Sequence, residues 1–160
     1  MIFFDDTQPG DRRKLGSFTF TADSIKAFAR DYDPQAFHLD EEAGRRSIFG
    51  GLAASGWHTA SIYMKLLVAD LKQEAEKRKA RGEPVAASGP SPGFRNLKWP
   101  RPVLAGDTVS YFYEATSKRL LASRPGWGIV FGATTALNQR DEIVLSFDNS
   151  VFLPCRGAGA

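Results

Sequence analysis

Cysteine is almost missing from this chain of 160 residues; Cys155 is its single instance. One thiol closes no internal disulfide, which excludes a disulfide scaffold and fits a reducing compartment. Long hydrophobic runs are missing too, since no stretch reaches the ~18 apolar residues of a membrane helix. The opening Met-Ile-Phe-Phe-Asp-Asp has neither the basic nor the apolar region of a secretory signal, so the cytosol is the expected location. A strong excess of one charge is also lacking: Lys plus Arg total 21 against 18 Asp plus Glu, a net charge of +3. That mild balance predicts no nucleic-acid partner. The densest basic stretch, 72–81, interleaves Glu74 and Glu76 and reads as a solvated helix face. Histidine occurs only as His38 and His58, and no Cys/His cluster exists, so no metal site is expected. Gly50-Gly51 lacks the lysine-serine of a phosphate-binding loop, and no Gly-x-Ser-x-Gly elbow is present.

What is present describes one ordinary globular domain. Hydrophobic residues make up 42% and charged residues 24% of the chain, which is enough apolar matter for a core without staples. A single domain over 1–160 is expected, with its ordered core from about 4 to 153 and a tail at 154–160. Leu15 to Thr21 alternates and predicts a strand. Thr21 then suits an N-cap, and Ile25, Phe28, Ala29 and Tyr32 form one stripe of a short helix ended by Asp33-Pro34. Residues 33–55 read as irregular, with a helical turn around Asp40 to Arg46. Gly56 opens a long helix whose first half, Trp57 to Leu71, is apolar nearly all round and is therefore expected to be buried on every side. Its second half is polar and stops at Gly82 and Pro84. The remainder predicts strands at 94–99, 108–117, 128–137 and 143–153, several longer than the usual five or six residues. Long antiparallel strands with one all-apolar helix predict an α+β hotdog architecture, a sheet curled around a central helix.

Candidate chemistry concentrates in two segments. Asp33 and His38 lie five residues apart beyond a proline break, and a carboxylate and an imidazole that converge on one water can move two protons together. Taken alone, the spacing describes a surface acid with an unrelated histidine better than it describes a catalytic pair. Gly56 begins the buried helix, where free N–H groups and the positive dipole end could hold a developing oxyanion. A glycine needed only for close packing reads the same way in sequence. His58, two residues further on, fits a core histidine better than a catalytic one. Cys155, beside Arg156, reads as an incidental thiol.

Three segments taken together, Ala29-Arg30-Asp31-Tyr32-Asp33-Pro34-Gln35-Ala36-Phe37-His38-Leu39-Asp40, Phe49-Gly50-Gly51 through Gly56, and Arg101-Pro102-Val103-Leu104-Ala105-Gly106-Asp107-Thr108-Val109, resemble the MaoC-like dehydratases, which include the (R)-specific enoyl-CoA hydratases. The resemblance runs from about Phe4 to Leu153. It implies the hotdog fold, a catalytic pair at Asp33 and His38, and an oxyanion glycine at Gly56. The implied reaction is reversible addition of water to the 2,3 double bond of an enoyl thioester. The substrate would be carried by coenzyme A or acyl carrier protein, with no bound cofactor. Arg95, Lys98, Arg101 and Arg124 are candidates for the coenzyme A phosphates, although each also reads as a plain surface cation. The chain departs from the pattern at Ser55, where many members have histidine, at Pro34-Gln35-Ala36-Phe37, and at Met64, where some hydratases carry serine. A thioesterase or a non-catalytic acyl-CoA binding module would share the fold. An open sheet edge and an open pocket predict a homodimer or a multiple of it.

Overall fold

The computed structural model describes residues 2–87 and 89–157. After a 3-10 turn at Phe4–Asp6 come strand β1 (Arg12–Thr19), helices α1 (Ala22–Tyr32), α2 (Ala36–Leu39), α3 (Glu41–Arg46) and α4 (Gly56–Ala80), then strands β2 (Gly93–Lys98), β3 (Thr108–Leu120), β4 (Trp127–Leu137) and β5 (Ile143–Pro154). The five strands form one sheet in the order β1-β3-β4-β5-β2, and every neighbouring pair is antiparallel. Its concave face wraps α4, giving the hotdog arrangement.

Local sequence accounts for most of the boundaries. Thr21 caps α1 by accepting from Ser24 N at 3.1 Å, and Asp40 caps α3 by accepting from Ala43 N at 2.8 Å. The Asn138–Asp141 turn closes through Asn138 N to Glu142 O at 3.0 Å, with Asp141 in the left-handed region at φ 58°. Alternation on β3 buries Val109 and Tyr111 in the main core and Ala115 in a smaller cluster with Phe4, Val130 and Leu153. Phe20, Ile25, Tyr111, Val144 and Leu145 complete the main core. Burial of each such large side chain is worth about 1.5–3 kcal/mol. The Tyr111 hydroxyl is satisfied by donating to Thr59 O at 3.1 Å, so the ring can enter the core without an orphaned donor.

Three sequence expectations change. The segment 33–55 is less irregular than the proline suggested, because Ala36–Leu39 forms its own helical turn and carries His38. The first half of α4 is not buried all round. Ile62 and Tyr63 face the sheet, but Trp57, Met64 and Val68, spaced along one stripe, are 52%, 51% and 41% exposed. An all-apolar helix sequence implies a covering on every side, and one chain supplies it on only part of the circumference. The expected tail begins later than 154. Pro154 still belongs to β5, and Arg156 N donates to Asp5 Oδ2 at 2.7 Å. Residues 158–160 of that tail lie outside the described residues.

The two chain ends and the end of α4 meet in one ionic cluster. Asp6 pairs with Arg78 at 2.9 Å and with Arg156 at 2.5 Å. Burial raises the Asp6 carboxyl, but the Arg156 hydrogen bond and the two guanidinium charges outweigh it and hold it low. This cluster anchors the polar end of α4 and leaves its other end to the residues of interest.

Candidate active site

The site is built where three segments converge on the start of α4. The stretch 52–54 runs beside the Pro102–Asp107 element, with Ala54 N bonded to Val103 O at 2.7 Å and Ala105 N to Leu52 O at 2.9 Å. Asp107 makes that element rigid, accepting from Leu104 N at 2.8 Å and from Gln139 Nε2 at 2.6 Å. Ala53 is then tied twice to α2, by its N–H to Phe37 O at 3.2 Å and by its carbonyl to His38 Nδ1 at 2.7 Å. A carbonyl only accepts, so Nδ1 carries the hydrogen and the neutral ring presents the lone pair of Nε2.

That lone pair faces Asp33. His38 Nε2 lies 3.4 Å from Asp33 Oδ2, longer than a direct N–H···O bond yet close enough for both atoms to contact one water. His38 is 5% exposed. The Asp33 carboxylate is held from two further sides: Ser55 Oγ donates to Oδ2 at 2.7 Å and Gln35 Nε2 donates to Oδ1 at 2.8 Å. Partial burial raises its pKa, but the hydrogen bonds from Ser55 and Gln35 and the field of His38 together hold it below the ordinary carboxylate value. The pair therefore sets an ionised carboxylate beside an imidazole whose Nδ1 is committed to Ala53 O.

Ser55 is the residue that sequence reasoning noted only as a departure. It is 1% exposed and serves two elements at once. Its hydroxyl donates to Asp33 and accepts from Trp57 N at 3.2 Å as the N-cap of α4. The capping half of that role was legible, since serine before an apolar run is a helix-start signal. The half that reaches Asp33 was not. Gly56 is the first residue of α4, so its N–H has no intrahelical acceptor. Its missing side chain is required by packing as well: a Cβ there would come within 2.6 Å of the Trp99 indole. Trp99 Nε1 donates to Gly56 O at 3.0 Å. Both sequence readings of this glycine, an open N–H and a close contact, thus coexist.

His58 sits on the first turn of α4 among aromatic rings, stacked on Phe28 at 4.6 Å and edge-on to Phe20 at 4.9 Å. It has no part in the Asp33–His38 contact, and its Nδ1 has no hydrogen-bond partner among the described residues. Burial pushes its pKa down to about 4. The four candidate cations separate. Arg95 and Lys98 are exposed on edge strand β2, and Arg101 lies 3.5 Å from Glu142 just before β3. Arg124 stands at the opposite end of β3, over the Trp127 ring at 4.6 Å. Cys155 is half-buried, and burial pushes its thiol up. Among the described residues no group of three or more His, Cys, Asp or Glu is placed to hold a metal ion, and no helix is long and apolar enough to cross a membrane.

Beyond Gly56 the same helix borders a cavity of about 420 Å³ between α4 and the concave sheet face. Ala60 and Met64 stand at its near end and Leu71 at its far end. The cavity follows the helix away from the Asp33–His38 pair.

Comparison with known proteins agrees with this arrangement. The family described as "MaoC like domain" matches residues 6–125. A crystal structure of a MaoC-like dehydratase from Rhodospirillum rubrum is 37% identical and superposes with a TM-score of 0.80, covering 98% of this chain and 99% of that one. The Bacillus subtilis (strain 168) protein YdeM is 26% identical over 149 residues, spanning 93% of this chain and 96% of its own. An R-hydratase from Pseudomonas aeruginosa, at 18% identity, shares the fold with a TM-score of 0.69 over 97% of this chain and 87% of that one. Matched across most of its length, with the sheet, the central helix and the converging segments in place, the chain belongs to the MaoC-like dehydratase family.

Proposed function

We propose that the protein is a hydro-lyase that adds water reversibly to the 2,3 double bond of an enoyl thioester carried by coenzyme A. The observation that carries this reading is the 3.4 Å approach of His38 Nε2 to Asp33 Oδ2, with His38 oriented by Ala53 O and Asp33 kept ionised by Ser55 and Gln35. A water between two acceptors donates one hydrogen to each. Its oxygen attacks C3, one proton passes to the pair, and the pair returns one proton to C2, so the enzyme ends unchanged and the product is the 3-hydroxyacyl thioester. The two groups act as one coupled unit. Because Asp33 rests ionised, the proton that reaches C2 derives from the water rather than from a protonated carboxyl stored beforehand.

The Gly56 N–H, at the positive end of α4, would donate to the thioester oxygen as it gains enolate character. The acyl chain would run along α4 into the cavity. Arg95, Lys98 and Arg101 remain the candidates for the coenzyme A phosphates, and the position of Arg124, beyond the other end of β3, favours it less. The exposed stripe of Trp57, Met64 and Val68, with Phe94 on edge strand β2 at 55% exposure, supports a homodimer that covers this face.

The test is a panel of enoyl-CoAs of different length and branching, followed by loss of the conjugated-thioester absorbance with free thiol measured in parallel. The expected result is loss of absorbance without thiol release, abolished by Asp33→Asn. Thiol release without hydration would make the protein a thioesterase, and tight binding with neither reaction would make it a binding module.

A further inference from the structure

The cavity along α4 has hydrocarbon walls but a polar floor. Met64, Leu67, Val68, Phe94 and Phe147 form the walls. On the floor, Asn149 Nδ2 donates to Thr134 Oγ1 at 2.8 Å and to the Tyr63 hydroxyl at 3.3 Å. Tyr63 is 3% exposed and Thr134 1%. Tyr113 reaches the same place from β3 by lying across Gly132 of β4, where a Cβ would meet its ring and hydroxyl at 2.4–2.7 Å. Gly132 pairs with Asn149 on β5, so the missing side chain lets the Tyr113 phenol extend toward the Asn149 position. Neither the Tyr113 hydroxyl nor Asn149 Oδ1 makes a hydrogen bond with another described residue. Thr7, which also lines the cavity and is 4% exposed, has an unpartnered buried hydroxyl.

A cavity made only for a hydrocarbon chain has no need of this set. An alkyl tail would strip water from the Tyr113 hydroxyl and the Asn149 amide oxygen and offer nothing in return, which is unfavourable for each group left unpaired. Charge limits the ligand further. Among the described residues the one cation at the cavity, Arg13, is already paired with Asp70 at 2.9 Å and lies 5.6 Å from the Tyr113 ring centre, so none of them offers an uncompensated positive charge to a carboxylate. Burial pushes the Tyr113 phenol up to about 12, which keeps it a donor at any working pH.

We infer that this cavity takes an acyl chain bearing an uncharged oxygen, a hydroxyl or a keto group, beyond the reacting carbons, and that Tyr63, Tyr113 and Asn149 select for it. The inference rests on the proposed hydration only in using it as one of two readouts. Three trans-2-enoyl-CoAs of equal chain length separate the cases: one with a saturated tail, one with a hydroxyl near the tail end, and one ending in a carboxylate. The hydroxylated substrate is expected to have a kcat/KM at least about tenfold above that of the saturated one. Tyr113→Phe, which keeps the ring over Gly132 and removes only the oxygen, should narrow that ratio severalfold. A preference for the saturated or the carboxylate chain, or a ratio unchanged in Tyr113→Phe, overturns the inference. If none of the three is hydrated, the proposed reaction fails, and equilibrium binding of the corresponding 2,3-saturated acyl-CoAs decides this point separately. Tighter binding of the hydroxylated chain, weakened by Tyr113→Phe, supports the oxygen-selecting cavity; equal binding of all three overturns it.

Discussion

The two histidines flank the start of the same helix and are buried to the same extent, 5% exposed each, yet their surroundings differ in kind. His38 has one nitrogen bonded to a backbone carbonyl and the other 3.4 Å from a carboxylate. His58 has aromatic faces and edges on several sides and a nitrogen with no partner among the described residues. Burial alone therefore does not mark a functional imidazole. What separates the two is whether the fold supplies an orienting acceptor for one nitrogen and a second reactive group for the other.

The sharpest way to break that comparison is to exchange the losses. His38→Gln and Asp33→Asn should each lower the hydration rate by ~10² to 10⁴, with acyl-CoA binding and melting temperature near wild type. The double variant should cost little more than the worse single one, as expected of a coupled unit. His58→Phe should leave turnover within a few-fold of wild type. Comparable rate losses for His38→Gln and His58→Phe in folded protein would end the distinction.

Gly56→Ala comes next, with a loss of about a hundredfold if its N–H holds the thioester oxygen. Because the new methyl also strikes Trp99, the single variant cannot separate the two roles. Pairing it with Trp99→Leu, which clears the space, separates them. Activity that stays low in the double variant supports the oxyanion role, and activity restored to the level of Trp99→Leu alone assigns the glycine to packing.

Ser55→Ala should have a smaller effect on two observables. Losing the cap costs about 1 kcal/mol of stability. Losing the hydroxyl on Asp33 removes one of the bonds that hold its pKa down, so the acid limb of the pH–rate profile should move to higher pH. A profile that stays in place while stability falls would confine Ser55 to the helix cap.

The last expected effect, which leaves the rate at neutral pH untouched, concerns stability alone. His58 titrates near 6.5 when unfolded and about 4 when folded. Between those values the unfolded chain binds a proton that the folded one refuses, so stability is full above about pH 6.5 and falls as the pH drops toward 4, by an amount on the order of 3 kcal/mol. His58→Phe should flatten this part of a denaturation-versus-pH curve. An identical curve for wild type and variant would show that the buried imidazole is not the source.

The order of helices and strands was legible from local signals. Thr21, the Asp33-Pro34 break, Gly82 and the turn at 138–141 punctuate the chain, and strand alternation carries its own period. The helical turn Ala36–Leu39 was missed because four residues show no period and a proline stands just before them. The open stripe on α4 was missed because an apolar helix sequence does not say how much of its covering comes from its own chain.

The candidate pair Asp33 and His38 was visible as residue types at a spacing, and resemblance to a family gave it meaning. Its geometry was not visible. The bond from Ser55 to Asp33 spans 22 positions, and the carbonyl that orients His38 belongs to Ala53, whose side chain gives no hint of the role. The polar floor of the cavity joins Tyr63 on a helix to Thr134 and Asn149 on two strands, with Tyr113 reaching over from a third strand across Gly132. The sequence by itself determined the elements, the fold class and the candidate chemistry, because capping, periodicity and turns act over a few neighbouring residues. Only the tertiary structure decided which acceptor each buried donor meets, because those hydrogen bonds join segments that become neighbours only when the sheet closes over α4.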